Sequence, residues 1–471
     1  MEIKVKDVIQ VCNARLATGN EDIVCDNFSK DTRTIEEGDI YIGIKGENFD
    51  GNTLYEQAFE RGAKACILQG IEVSEEIKNR YNDRAIILVD DTIKALQQIA
   101  TYKRSLYNIP VIAITGSVGK TSTKDIIASV VAEQYKVLKT QGNLNNHIGV
   151  PLTILGLKDH EALVVEMGMN NLGEISVLTK IAKPDIAVIT NVGTSHIGNL
   201  GSRENILKAK LEILDGLREG GTLIINNDND LLNLWNKERG AEAGTFNVVT
   251  YGIDNDSCYA AESIELAENS SKFEVEINGE TTEINVPVGG KHFVYNALSA
   301  VAVGAKLGIP AQKIKQGIEN FELTKSRMEI VKLEGGATIV NDCYNANYDS
   351  MRAAIEYLAK TNSSRKIAVL GDMLELGKFS NELHTKVGEE VAKNKIDILV
   401  TVGEMGKVIA GTARKLDVET YEYDSNDEAV IKIKEILKPN DVVLIKASNG
   451  MKFKCIVEKL VENSAEEALK Q

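Results

Sequence analysis

One stretch, VIAITGSVGKTS at residues 111–122, constrains this chain more than any other. A short apolar run, Val111–Ile114, enters a glycine-containing loop, and a helical pattern leaves it near Ser122. Strand, loop and helix in that order make a phosphate-binding turn. The glycines let backbone N–H groups turn toward phosphate oxygens, and the helix start adds its positive end. Thr115, Gly116, Ser117, Val118, Gly119, Lys120, Thr121 and Ser122 are therefore the candidate ATP contacts. Lys120 has the reach for the β- and γ-phosphates, and the Thr121 hydroxyl is a ligand for Mg²⁺. The general pattern asks for glycine at position 114, where this chain has isoleucine. A glycine-rich turn between a core strand and a helix is the alternative.

The surroundings of the loop point to an α/β fold. Short apolar runs at 111–114, 162–165, 185–190 and 222–225 alternate with helical patterns, the signature of βαβ units and a parallel sheet. The same rhythm returns at 337–340, 366–370, 397–402 and 441–445. Between them, EVEINGETTEINVPV reads as a hairpin turning at Asn278-Gly279. A helix is expected from Thr92 to about Tyr107, ended by Asn108-Ile109-Pro110. At roughly 100–200 residues per domain, the length implies about three domains. The expected units are an N-terminal α/β domain at 1–84, a central P-loop-type parallel-sheet domain at 85–322 and a C-terminal Rossmann-like α/β domain at 323–471.

In a parallel sheet, ligands collect beyond the carboxyl ends of the strands. The run 162–165 ends in Glu166. The run 185–190 ends in Asn191, with His196 five residues on, and 222–225 ends in Asn226 and Asp228. Glu166 and His196 are candidate ligands for a metal held against the phosphates, although a loop histidine is also an ordinary surface residue. Lys210 carries a further signal. At about 100° per residue, a helix over 206–217 places it inside an arc of isoleucines and leucines, with Lys208 and Asp215 opposite. Burial there lowers the pKa of the amine and makes it nucleophilic; snorkelling of the stem to water is the alternative.

The formal net charge of −15 argues against nucleic acid or an anionic membrane surface as partner, though not against an anionic small molecule in a local basic pocket. The six cysteines are scattered without C-x-x-C spacing, so a reducing cytoplasm is expected rather than a disulfide or zinc framework. No apolar stretch approaches a membrane span of about 18 residues, so no membrane insertion is expected.

In their order along the chain, TGSVGKT (115–121), GNLNNHIGVPLT (142–153), EMG (166–168), TNVGTSH (190–196), KAKLEI (208–213) and GKHFVYNAL (290–298) resemble the Mur ligases, ATP-dependent amide-forming enzymes of peptidoglycan precursor synthesis. A residue other than glycine at position 114 is ordinary in that family. DTR (31–33), GENFDG (46–51), NDCYNAN (341–347) and VLGDMLELG (369–377) resemble the members that join D-alanyl-D-alanine to UDP-N-acetylmuramoyl-tripeptide. Taken singly, Asp50-Gly51 and Gly371-Asp372 are turn-forming pairs expected after strands; only the joint order is specific.

The resemblance implies the roles. Lys120 and Thr121 would hold the ATP phosphates and magnesium. Glu166 and His196 would ligate magnesium, and Lys210 would carry a carbamate made from CO₂ as a further ligand, which requires a neutral amine. His292 and Asn296 would lie near adenine and ribose. Arg327 and Asp342 would approach the nucleotide as the domains close. Thr32, Arg33, Gly46 and Asp50, with Asn143, Asn145 and Asn146, would serve the UDP-sugar-peptide, and Asn345 would be a further substrate contact. A monomer is expected. Four positions depart from the family pattern: Asn52 stands where histidine is common, Tyr348 where proline is usual, Ala447 where glycine and Asn449 where arginine. Two rivals remain: a ligase of the same scaffold adding another amino acid, including the folylpolyglutamate type, and a P-loop switch that only hydrolyses nucleotide.

Overall fold

The computed structural model describes residues 3–25, 27–238 and 245–468. Three parallel-dominated sheets follow one another along the chain. The central one has seven strands, all parallel, in the order Tyr259–Ala260, Asn247–Gly252, Thr222–Asn226, Ile186–Ile189, Val111–Thr115, Ala162–Glu166, Val137–Lys139. Its inner strands are buried along their whole length because helices cover both faces, which is why they read as unbroken apolar runs. After Val111–Thr115 the chain first adds strands on one side, then returns to build the other. The strand order therefore reverses at the phosphate loop, and a crevice opens beyond the carboxyl ends.

The N-terminal sheet runs Arg15–Thr18, Ala85–Leu88, Ala65–Leu68, Ile40–Ile42, Phe28–Ser29, with only the first pair antiparallel. Ala85–Leu88 lies inside this sheet, so the break expected at 84/85 comes one strand too early. Apolar residues 85–88 pair with 65–68 and leave no choice about which sheet they join. The C-terminal sheet has six strands, ordered Glu329–Lys332, Thr338–Asn341, Asp441–Lys446, Arg365–Gly371, Ile398–Val402, Glu419–Tyr423, and only its first pair is antiparallel.

The hairpin forms as expected: Ser271–Ile277 pairs with Glu280–Val286 and turns at Asn278-Gly279. Glu262–Leu266 adds a third strand to it. Thr92–Ser105 is a helix, capped by Asp91, whose carboxylate accepts from the N–H groups of Ile93 and Lys94. Two helix limits differ from expectation. The helix after the phosphate loop begins at Lys120, two residues early, because Gly119 at φ 83° supplies its N-terminal cap. The helix carrying Lys210 runs Arg203–Leu211 and tightens into a 3₁₀ turn over Glu212–Gly216, so a single 100° spacing to residue 217 does not hold. Among the described residues, no helix is long and apolar enough to cross a membrane.

Candidate active site

The phosphate loop is fixed from the neighbouring strand. Asn191, just beyond Ile186–Ile189, accepts from the Ser117 N–H through its carbonyl (3.1 Å) and from the Val118 N–H through its side chain (2.9 Å). Thr190 Oγ1 and Asn191 Nδ2 both donate to the Val118 carbonyl. The N–H groups of Ser117 and Val118 are thus committed inside the protein. What the loop offers an anion is the first turn of Lys120–Ala132, whose N–H groups have no partner within the helix. Lys120 Nζ donates to the Gly116 carbonyl at 2.8 Å. Burial pushes its pKa down; Glu166 acts against that and Arg327 with it.

Glu166 ends its strand buried, 2% exposed, with Oε1 accepting from Asn145 Nδ2 at 2.8 Å. Its second oxygen has no partner among the described residues. Arg327 comes from the linker into the C-terminal sheet. Its Nη2 donates to the Thr121 hydroxyl (3.1 Å), its guanidinium lies 3.9 Å from the centre of the Tyr344 ring, and its Nε is buried without a partner among the described residues. His196 sits at φ 60°, with Nδ1 2.6 Å from Glu375 Oε2. Contact with the imidazole holds the Glu375 carboxyl below its ordinary range.

Two cavities meet over these groups. One, of about 220 Å³, is lined by Ser117–Thr121, Ser195, His196, Arg327, Asn345, Asn347, Glu375 and Asn449. The other, of about 300 Å³, is lined by Lys120, Asn143, Asn145, Asn146, Glu166, His196, Arg327, Tyr344, Asn345 and Asn449. Lys120, His196, Arg327, Asn345 and Asn449 belong to both. A third cavity, of about 290 Å³ and mostly apolar, lies where Leu266, Ala267 and Glu268 and the helix Lys291–Lys306 face the helix Tyr348–Lys360; His292 and Tyr295 line it. Asn296, one turn along, accepts from Thr123 Oγ1 at 3.1 Å, which ties that helix to the phosphate-loop helix.

Lys210 is 1% exposed. Burial, with Lys120 nearby, pushes its amine far below the ordinary lysine range, and the snorkelling alternative is overturned. Asp342 does not line the two cavities. Its Oδ2 is 2.6 Å from Lys446 Nζ, and its Oδ1 accepts from the Met328 N–H. The same lysine donates to the Asn345 carbonyl, so the pair shapes the loop that presents Tyr344 and Asn345.

Thr32, Arg33, Gly46 and Asp50 line neither cavity. They occupy turns beyond the carboxyl ends of Phe28–Ser29 and Ile40–Ile42. Thr32 donates to Gln57 Oε1 at 2.6 Å, Arg33 grips Asp31 through two nitrogens, and the Gly46 N–H is bonded to the Phe49 carbonyl. Asn52, the first departure, closes this loop: it donates to Asp50 Oδ1 and accepts from the Gln69 N–H at 3.0 Å. Asn449 replaces the usual arginine with a side chain that donates to the Tyr344 carbonyl at 3.1 Å. Ala447 is fully buried in the core of the C-terminal sheet, and the half-buried Tyr348 opens the helix capped by Asn347.

Sequence reasoning missed Ser195, Asn347, Asp349 and Glu375. The last three approach the 193–196 loop from the C-terminal unit; Asn347 and Glu375 lay inside NDCYNAN and VLGDMLELG without an assigned role, and no local pattern marks Asp349. Ser195 lay inside the TNVGTSH motif and was visible only as a spacer.

Known families match almost end to end. Residues 27–104 match the catalytic domain of the Mur ligase family, 114–304 the Mur ligase middle domain and 326–449 the Mur ligase glutamate ligase domain. Over 464 residues the chain is 39% identical to UDP-N-acetylmuramoyl-tripeptide–D-alanyl-D-alanine ligase of Bacillus subtilis, with 98% of each chain covered. This chain belongs to the Mur ligase family. Among solved members, MurF from Acinetobacter baumannii superposes with a TM-score of 0.86 at 29% identity, covering 98% of this chain and 99% of that one. MurF ligase from Thermotoga maritima in complex with ADP gives 0.80 at 27% identity, covering 94% and 98%.

Proposed function

We propose that this Mur ligase joins D-alanyl-D-alanine to UDP-N-acetylmuramoyl-tripeptide at the expense of ATP, forming the pentapeptide precursor of peptidoglycan in the cytoplasm. The observation that carries this reading is the meeting of two cavities over Lys120, His196 and Arg327. A nucleotide phosphate in one and a carboxylate in the other are brought to the same three side chains.

A carboxylate does not exchange oxide for an amine unaided. The terminal carboxylate of the tripeptide takes the γ-phosphoryl group of ATP, releasing ADP, and Lys120 and Arg327 offset the repulsion between the two anions. The amine of D-alanyl-D-alanine attacks the acyl phosphate, loses a proton, and phosphate leaves. Arg327 and Asn345, both from the C-terminal side, close over the junction and keep out the water that would hydrolyse the acyl phosphate. His292 and Asn296 serve adenine and ribose, with the third cavity beside them. Thr32, Arg33, Gly46 and Asp50 hold the UDP end, and Asn143, Asn145 and Asn146 the sugar-peptide.

The donor set fits magnesium. Glu166 presents a buried oxygen without a partner among the described residues, and the Thr121 hydroxyl lies at the loop. No cluster of three or more His, Cys, Asp or Glu is found among the described residues, as suits a cation that keeps water and phosphate oxygens as ligands. Thr121, Glu166, His196 and a carbamate on Lys210 would hold it, and it would supply charge neutralisation to the phosphates. Burial favours the neutral amine at Lys210, the form that reacts with CO₂.

The test measures ADP and phosphate release by the purified chain against a panel of UDP-peptides and acceptor amines. Release that needs both the UDP-tripeptide and D-alanyl-D-alanine is expected. Preference for a single amino acid acceptor moves the reading to another ligase of the scaffold. Release indifferent to carboxylate and amine makes it a nucleotide switch.

A further inference from the structure

The loop Gly193–His196 is held from two sides. On the central side, the Gly193 N–H donates to Ser117 Oγ (2.9 Å) and Ser195 Oγ donates to the Ser117 carbonyl (2.9 Å), so the loop is built onto the phosphate loop. On the other side are residues far away in sequence. Asp349 Oδ2 accepts from both the Thr194 N–H (2.9 Å) and the Thr194 hydroxyl (3.0 Å). Asn347 Nδ2 donates to Ser195 Oγ, and Glu375 Oε2 meets His196 Nδ1. The fit around Asp349 is close. A Cβ at Gly193 would lie 2.3 Å from Asp349 Oδ2, so a side chain there must displace the carboxylate. Asn347 is itself held in place, since it caps Tyr348–Lys360 in a reciprocal bond with Ser350.

We infer that Asp349 is a positioning residue that fixes the Gly193–His196 loop, and through it His196, only when the C-terminal unit is docked on the central one. The two hydrogen bonds to a carboxylate are charge-assisted, and they end on the backbone of the loop rather than on a mobile side chain. The loop keeps its bonds to Ser117 when Asp349 is absent. Nucleotide affinity therefore holds while turnover falls. The expectation about turnover rests on the ligase reading; the docking contact does not.

The experiment compares full-length wild type with Asp349→Ala, Asp349→Asn, Gly193→Ala and Thr194→Val. Small-angle scattering without ligands reads docking, titration with magnesium-ADP reads affinity, and ADP release with both substrates reads turnover. Asp349→Ala and Gly193→Ala should enlarge the molecule in solution and lower kcat roughly tenfold or more, with ADP affinity within about twofold. Asp349→Asn keeps an oxygen that accepts both bonds and should retain most of kcat. Thr194→Val, which loses one bond and folds most safely, should fall between. Wild-type scattering and kcat in Asp349→Ala overturn the inference. So does an ADP affinity that falls in step with kcat, or an Asp349→Asn as impaired as Asp349→Ala. A wild type without acceptor-dependent ADP release defeats the ligase reading instead, and the scattering comparison still decides the docking contact.

Discussion

Two side chains make their titration the property to measure. Burial lowers the His292 imidazole from 6.5 to about 4, with Asp342 opposing that and Lys446 adding to it. The unfolded chain binds a proton here below pH 6.5 and the native chain does not until about pH 4. Stability from this group is therefore constant above 6.5 and falls as the pH drops through that window, by about 3 kcal/mol at most. His292→Asn should remove that part of the slope in denaturant melts at pH 7, 6, 5 and 4; an unchanged slope would mean that His292 titrates normally. Lys210 bears on the proposed chemistry. Lys210→Ala should lower ADP release roughly a hundredfold and recover part of it with added short carboxylates, because these supply the oxygens a carbamate would. Full activity in the variant would end the carbamate proposal.

The phosphate-loop helix shows how an element is pinned. Asp125, 2% exposed, takes Lys139 Nζ at 2.8 Å and Lys124 Nζ at 3.1 Å on one oxygen and the Thr324 hydroxyl at 2.7 Å on the other. Burial alone would raise the carboxyl; Lys124 and the hydrogen bonds from Lys139 and Thr324 outweigh it and hold it down. Lys124 also donates to the Thr140 carbonyl, and Thr140 Oγ1 accepts from the Glu166 N–H. The linker to the C-terminal unit is thus wired to the strand that ends in Glu166. Asp125→Ala leaves Lys124 buried without its counter-charge and should cost about 3–5 kcal/mol in chemical denaturation. A loss below about 1 kcal/mol would show that the network relaxes. Thr324 in this network was invisible in sequence, whereas the helix itself was plain. Periodicity marks the apolar face of an element; it says nothing of a hydroxyl 199 residues away that completes a buried carboxylate. The same contrast separates the apolar runs at 162–165 and 222–225, which were legible as strands, from Asn247–Gly252 and Glu419–Tyr423, whose half-buried, mixed residues carry no strong alternation.

At the scale of the whole molecule, the parts of the site were readable and their assembly was not. Lys120, Glu166 and His196 follow from strand ends of one sheet, a rule of topology. Arg327, by contrast, reaches Thr121 across 206 residues only because the C-terminal unit is docked. Its side chain joins both cavities and both units: one nitrogen on Thr121, the plane against Tyr344, and Nε buried with no partner among the described residues. Guanidinium planarity serves all three at once, and an ammonium serves none of them in the same way. Arg327→Ala should therefore lower kcat on the order of a hundredfold, the loss expected when a donor aimed at developing charge is removed. Arg327→Lys keeps the charge but not the fork or the stack, and should recover only part of that loss. Thermal melts guard against a folding defect, and magnesium-ADP titration separates binding from turnover. If Arg327→Lys matches wild type in kcat, the residue acts as a diffuse positive charge, and the docked geometry around Thr121 and Tyr344 is not what the reaction uses.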